Sequence, residues 1–158
     1  MTIRLNPSAC YIAGLMSRTR EKGKVAISTS KSAIEQKFIE IAVKKLKVDP
    51  KKITIQEGIG VRNIYFYHSR IAKELQEVRE KELFIFKRMN EFSRSYVAGM
   101  FDSSGHLQKG TIYINGLTPK DRVMLDNLGI KTLDNRVVNS KSFLDVIKGY
   151  SVFEGLGK

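Results

Sequence analysis

SYVAGMFDSSGHL, residues 95–107, repeats the character of CYIAGLMSRTREKG, residues 10–23. At an offset of 85, Tyr11 meets Tyr96, Ala13 meets Ala98 and Gly14 meets Gly99. Around them Ile12, Leu15 and Met16 meet Val97, Met100 and Phe101. Six consecutive positions match in type, three of them by identity. Each copy joins a small Ala-Gly pair to an apolar helical run and then breaks into hydroxyl residues. A repeat within 158 residues points to two similar halves, so the self-similarity has to be settled before elements are assigned.

The residues after each copy keep one order. KVAISTS (24–30) alternates and predicts a strand with Val25, Ile27 and Thr29 buried. KSAIEQKFIEIAVKKLKV (31–48) predicts a helix, with Ser32 and Glu35 as a capping box and Ile34, Phe38, Ile41, Ala42 and Leu46 as its apolar stripe. KKITIQE (51–57) and RNIYFYH (62–68) read as strands reversing at Gly58-Ile59-Gly60, with His68 closing the second. A helix follows from near Ser69, with Ile71, Leu75 and Val78 at helical spacing. In the second half GTIYING (110–116) predicts a strand with Ile112 and Ile114 inward. TPKDRVMLDNLG (118–129) predicts a helix with Thr118 as N-cap, Pro119 in its first position and Gly129 as its stop. IKTLDNRVVN reads as a hairpin turning at Asp134-Asn135, and SKSFLDVIKGY as a closing helix. His106 reads as a loop residue. The expected class is α+β, with halves at 1–90 and 91–158 joined by a packed connection over 81–92 into one unit. Ala13, Gly14, Ala98 and Gly99 would let the two motif helices approach closely.

Charge narrows the function. The chain carries 28 Lys+Arg against 16 Asp+Glu, a net charge of +12. Residues 1–90 hold 19 basic and 9 acidic side chains, residues 91–158 only 9 and 7. Such an excess favours a polyanionic partner. The outward strand positions, with Lys109, form the expected nucleic-acid face: Lys24, Ser28, Lys52, Thr54, Gln56, Asn63, Tyr65, Tyr67, Thr111, Tyr113 and Asn115. Lys, Asn, Gln, Thr and Tyr are suited to a strand lying in the DNA major groove, and Tyr65, Phe66 and Tyr67 could also stack on unpaired bases. Other chemistry is thin. The two histidines, His68 and His106, have no cysteine or carboxylate at metal-ligand spacing. Cys10 reads as a buried core thiol, and EGIGVRN lacks the following helix of a phosphate loop. A lone cysteine, no membrane-spanning run and a poor signal peptide at MTIRLNPSACYIAGLM lead to the expectation of an intracellular, cytoplasmic or nucleoid protein.

YIAGLMSRT and YVAGMFDSSG, one per half, resemble the motifs of LAGLIDADG homing endonucleases and RNA-splicing maturases in their two-repeat, single-chain form. The resemblance spans residues 5–150. It implies two pseudo-symmetric αββαββα repeats, a saddle-shaped antiparallel sheet over the major groove, and cleavage centres at the C-terminal ends of the paired motif helices. It also implies a metal-binding acid at the eighth motif letter. That place is taken by Thr19 in the first half and Ser104 in the second; Asp102 stands at the sixth letter, opposite Ser17. Two-metal cleavage needs a carboxylate from each half, while Arg18 and Arg20 add positive charge. The expectation is a monomeric duplex DNA binder with no catalytic acids, no bound metal and no other cofactor. The alternatives are a Mg²⁺-dependent endonuclease using Glu21 and Asp102, or a maturase-like RNA binder.

Overall fold

Residues 5–17 and 21–153 are described by a computed structural model. In chain order they form α1 (Pro7–Leu15), β1 (Lys24–Thr29), α2 (Ser32–Lys44), a 3-10 turn (Pro50–Lys52), β2 (Thr54–Glu57), β3 (Arg62–Tyr67) and α3 (Ser69–Glu80). There follow α4 (Glu82–Ile85), α5 (Glu91–Ser104), β4 (Gly105–Gln108), β5 (Thr111–Ile114), α6 (Pro119–Asn127), β6 (Thr132–Leu133), β7 (Arg136–Val137) and α7 (Ser140–Ile147).

The helices start on local chemistry. The Asn6 side chain accepts from the Ala9 N–H at 2.8 Å and Pro7 occupies the first turn of α1, which pairs one orphan N–H and removes another. Asn90 with Ser93 and Thr118 with Asp121 close full capping boxes on α5 and α6. The box expected at Ser32 and Glu35 does not form. Lys31 is the N-cap of α2 without a side-chain bond, because an ammonium offers no acceptor; the Glu35 N–H goes to the Lys31 carbonyl at 3.2 Å and the Lys31 N–H to the Thr29 hydroxyl at 3.1 Å. Glu35 is drawn instead to Arg62, 3.1 Å away. His68 does more than end a strand: its Nδ1 accepts from the Ile71 N–H at 3.2 Å and caps α3.

The strands form two antiparallel sheets, β1-β3-β2 and β4-β5-β7-β6. Val25, Ile27 and Thr29 face inward from β1 and Ile64 and Phe66 from β3, against Ile34 and Phe38 of α2. Ile112, Ile114 and Val137 do the same in the second sheet. The apolar residues among these belong to one core cluster that runs through both halves. Between the halves Phe86 is fully buried and stacks on Tyr96, ring centroids 4.3 Å apart, so 81–92 is a packed connection.

Two sequence expectations are corrected here. Lys52 lies in the 3-10 turn and not in a strand, since the Asp49 carboxylate accepts the Lys51 N–H at 2.9 Å and Pro50 sets the turn. The stretch after the second motif is strand β4 rather than loop. A Cβ on Gly105 would fall 2.1 Å from the Phe101 ring, so the glycine alone lets the chain turn straight from α5 into the sheet.

The seam is α1 against α5. A Cβ built on Gly14 would lie 2.2 Å from the Tyr96 carbonyl oxygen, and one on Gly99 would lie 2.2 Å from that of Tyr11. Gly14 and Gly99 stand 85 positions apart, as do Tyr11 and Tyr96, so each contact is the other with the two halves exchanged. Ala13 and Ala98 beside them are fully buried. Among the described residues no helix is long and apolar enough to cross a membrane.

Candidate nucleic-acid interface

Strand register places the outward side chains in rows. In the first sheet Lys24 sits across from Tyr67, Ala26 from Tyr65 and Thr54, and Ser28 from Asn63 and Gln56. The Ser28 hydroxyl donates to Asn63 Oδ1. The Lys24 ammonium lies 4.5 Å from the Tyr65 ring centre and 5.9 Å from that of Tyr67, and the two rings meet edge-on at 5.9 Å, so one cation rests on a half-buried and an exposed ring. At the rim the Tyr67 hydroxyl donates to Glu21 at 2.6 Å. That bond, with Lys24 beside it, holds the Glu21 carboxyl below its ordinary range and raises the Tyr67 phenol. Glu57 lies on the other side of the sheet, in register with Arg62 and through it with buried Thr29, and pairs with Arg62 at 3.0 Å. Among the described strand residues this outward face therefore carries no carboxylate.

In the second sheet His106 stacks on Tyr113 at 5.2 Å, with Arg136 and Leu133 completing the row and Gln108 across from Thr111. Lys109 stands in the turn between β4 and β5, at φ 50° ahead of Gly110 at 77°. Asn115 follows β5 and is exposed. Sequence reading missed His106, Gln108 and Arg136. The Lys109-Gly110 pair between GHLQ and TIYI was the available hairpin signal.

At the end of α5 the Ser104 hydroxyl stands 3.3 Å from that of Ser103. Thr19, with Arg18 and Arg20, lies outside the described residues. Asp102 is 6% exposed and accepts from the Tyr11 hydroxyl at 2.6 Å, the Val152 N–H at 3.0 Å and the Ser151 hydroxyl. Burial pushes its carboxyl up, while those three bonds and Lys37 pull the other way. Lys37 itself lies over the Tyr11 ring at 3.8 Å. The structure does not join Glu21 and Asp102 into an acid pair: Asp102 is turned to Tyr11, Ser151 and Val152, and Glu21 to Tyr67 and Lys24. Cys10 is fully buried and its thiol is pushed up to about 12 by that burial, which removes the nucleophilic thiolate.

Two clefts open beside the helix ends. One of about 260 Å³ is lined by Ser17, Arg79, Ser103, Ser104, Asn115 and Asp121 among others. The other, about 520 Å³, is lined by Gln76, Arg79, Glu80, Glu82, Lys120 and Asp121 among others. Arg79 belongs to both, and its Nη1 donates to the Ala13 and Met16 carbonyls at 3.2 and 3.5 Å. Glu82, 2% exposed, accepts from the Tyr96 hydroxyl at 2.5 Å. Burial, with a hydrogen bond to Asp121, pushes Glu82 up to about 7. Burial also acts to raise Asp121, but bonds with Glu82 and Thr118 keep it below its ordinary range. Among the described residues no group of three His, Cys, Asp or Glu side chains is placed to hold a metal ion. Around the helix ends the described residues offer hydroxyls, an amide, a guanidinium and one carboxylate, Asp121, which is already bonded to Thr118 and Glu82; that set lacks the paired carboxylates of a Mg²⁺ site.

The arrangement has known counterparts. Mesophilic variants from the homing endonuclease I-DmoI share it at a TM-score of 0.68 and 17% identity, over 93% of this chain and 98% of that one. I-DmoI in complex with DNA and Mn gives 0.68 at 15% identity, over 92% and 98%. I-DmoI in complex with DNA and Ca gives 0.57 at 16% identity, over 89% and 88%. No protein-family profile and no curated protein matches the sequence. At these identities the likeness is one of fold: the chain has the LAGLIDADG fold that its motif pair implied.

Proposed function

We propose that this protein binds duplex DNA along the outward faces of its two sheets and does not cleave it. The carrying observation is the make-up of the α5 end, where Ser104 stands at the motif's acid position and the neighbouring Asp102 is turned into the core by three hydrogen bonds. A divalent ion placed there would meet neutral hydroxyls and a single carboxylate, Asp121, already bonded to Thr118 and Glu82, in place of the carboxylate from each half that two-metal cleavage requires. Binding is supported by the Lys, Asn, Gln, Thr and Tyr rows of the strands, by the net charge of +12, and by fold neighbours solved with DNA. Side chains of this kind read base edges from the major groove, while Lys and Arg hold the backbone. The chain acts as a monomer, since the α1–α5 seam already joins two strand faces.

The test is selection of bound sequences from a random duplex pool with Mg²⁺ present and strand integrity followed on a denaturing gel. An enriched, uncut site of about 15–25 base pairs is expected from an extended multi-strand contact. Metal-dependent nicking that disappears in Asp102→Asn would overturn the reading in favour of a nuclease using Asp102 and Glu21. Structured RNA that displaces duplex DNA at equal concentration would overturn it in favour of an RNA binder.

A further inference from the structure

We infer that Gly58, Val61 and Asn63, at the hairpin end of the first sheet, form a notch that reads one thymine from the major groove; this rests on the duplex-binding reading above. The EGIGVRN stretch reverses at Ile59-Gly60. The Gly58 N–H donates to the Val61 carbonyl at 2.8 Å, and Gly60 takes φ 72°. Register carries the outward face into this turn. Gln56 sits across from Asn63 and Glu57 from Arg62, so Gly58 and Val61 are the next pair. They share the Asn63 side of the sheet, and Glu57 and Arg62 lie on the other. Val61 is 37% exposed there, and Ile59 at the tip is fully exposed. The face that elsewhere presents Lys, Ser, Asn, Gln, Thr and Tyr thus ends in apolar side chains open to solvent.

Glycine makes the notch. A Cβ built on Gly58 would lie 3.4 Å from Asn63 Nδ2 and 3.4 Å from Val61 Cγ2. The missing side chain therefore leaves a gap with an amide donor on one side and a methyl group on the other. The neighbouring strand fixes the donor: the Ser28 hydroxyl donates to Asn63 Oδ1, which engages the acceptor end of the amide and leaves Nδ2 on the Gly58 side. A group that fits must carry a hydrogen-bond acceptor beside a methyl. Among the four DNA bases only thymine does so on its major-groove edge, with O4 and the C5-methyl on adjacent ring carbons. Cytosine presents an amino donor where thymine has O4 and would meet Nδ2 donor to donor. Uracil has the acceptor and lacks the methyl. The role is recognition, and no bond is made or broken.

The experiment selects bound sequences from a random duplex pool in EDTA, in parallel for the full wild-type chain, Gly58→Ala and Asn63→Asp, and measures the selected duplexes by fluorescence anisotropy. The wild type is expected to enrich a thymine at one position. Replacing that thymine with deoxyuridine should weaken binding about fourfold, the worth of one buried methyl. Replacing the T·A pair with C·G should weaken it about tenfold. Gly58→Ala fills the notch, so its selected site loses the thymine and it binds the thymine and deoxyuridine duplexes equally. That methyl would also stand 3.2 Å from the Val61 carbonyl oxygen, so Asn63→Asp provides a second arm that leaves the turn untouched. It exchanges the donor for an acceptor, and cytosine should replace thymine at that position. A wild-type site whose thymines all tolerate deoxyuridine, a folded Gly58→Ala that keeps the thymine, or an Asn63→Asp that selects the wild-type site overturns the notch. If the wild-type chain binds no duplex, the duplex-binding reading falls and the notch with it. If it binds duplex but enriches no thymine, the notch alone falls.

Discussion

Asp102 has three donors and almost no water, and that defines what its removal does. Asp102→Ala leaves the Tyr11 hydroxyl, the Ser151 hydroxyl and the Val152 N–H without their acceptor, and a loss of about 3 kcal/mol in urea denaturation is expected. Glu82 sets a pH dependence. Its carboxyl sits at about 7 in the native chain against an ordinary 4.5. Between those values the folded state holds a proton that the unfolded state has released, so stability falls as pH rises from about 4.5 to 7 and levels off above. Asp121 is shifted the opposite way and acts below its ordinary 3.8, outside that window. The wild type should melt roughly 5–10 °C lower at pH 8 than at pH 5, and Glu82→Gln should remove that decline. At this scale the sequence was legible in part. The acid at the sixth motif letter could be seen, and so could the serine two places on. The bonds that bury Asp102 come from residues 49, 50 and 91 positions away, a separation that no local pattern encodes.

Paired glycines make the seam. A methyl group on Gly14 or Gly99 would meet a backbone carbonyl at 2.2 Å, and a carbonyl in a helix cannot rotate aside as a side chain can. The helices must separate, so Gly14→Ala and Gly99→Ala are each expected to cost about 3 kcal/mol. The two costs should be similar, since the contacts correspond; chemical denaturation of both variants checks this. Elements with a strong local signature were readable. Thr118, Pro119 and Gly129 bounded α6 because capping chemistry is local, and β1 and β5 alternated cleanly because one face of each is buried. β4 and Lys52 were misread for physical reasons. The four residues of β4 are largely exposed, so burial imposes no alternation on them. Lys52 follows an Asp-Pro turn whose geometry outweighs the strand pattern after it.

The whole molecule is one core divided between two half-chains. Tyr11, Leu15, Tyr96 and Met100 are buried at 5% exposure or less, and each half leaves such residues uncovered when alone. Expressed separately, residues 1–90 and 91–158 should lack a cooperative melt and regain one on mixing, as circular dichroism would show. The repeat and the charge excess were legible at this scale because both are properties of the chain rather than of contacts. The division into two sheets was not, because nothing local says where pairing stops. The reciprocal glycine contact carries one more consequence. A groove in α1 that accepts α5 does so whether or not both belong to the same chain, so the architecture invites domain swapping between copies. The buried Phe86, stacked on Tyr96 at 4.3 Å, holds the connection folded back and keeps the exchange internal. In Phe86→Ala that restraint is gone, and size-exclusion chromatography of concentrated protein should reveal an interlocked dimer with both seams intact.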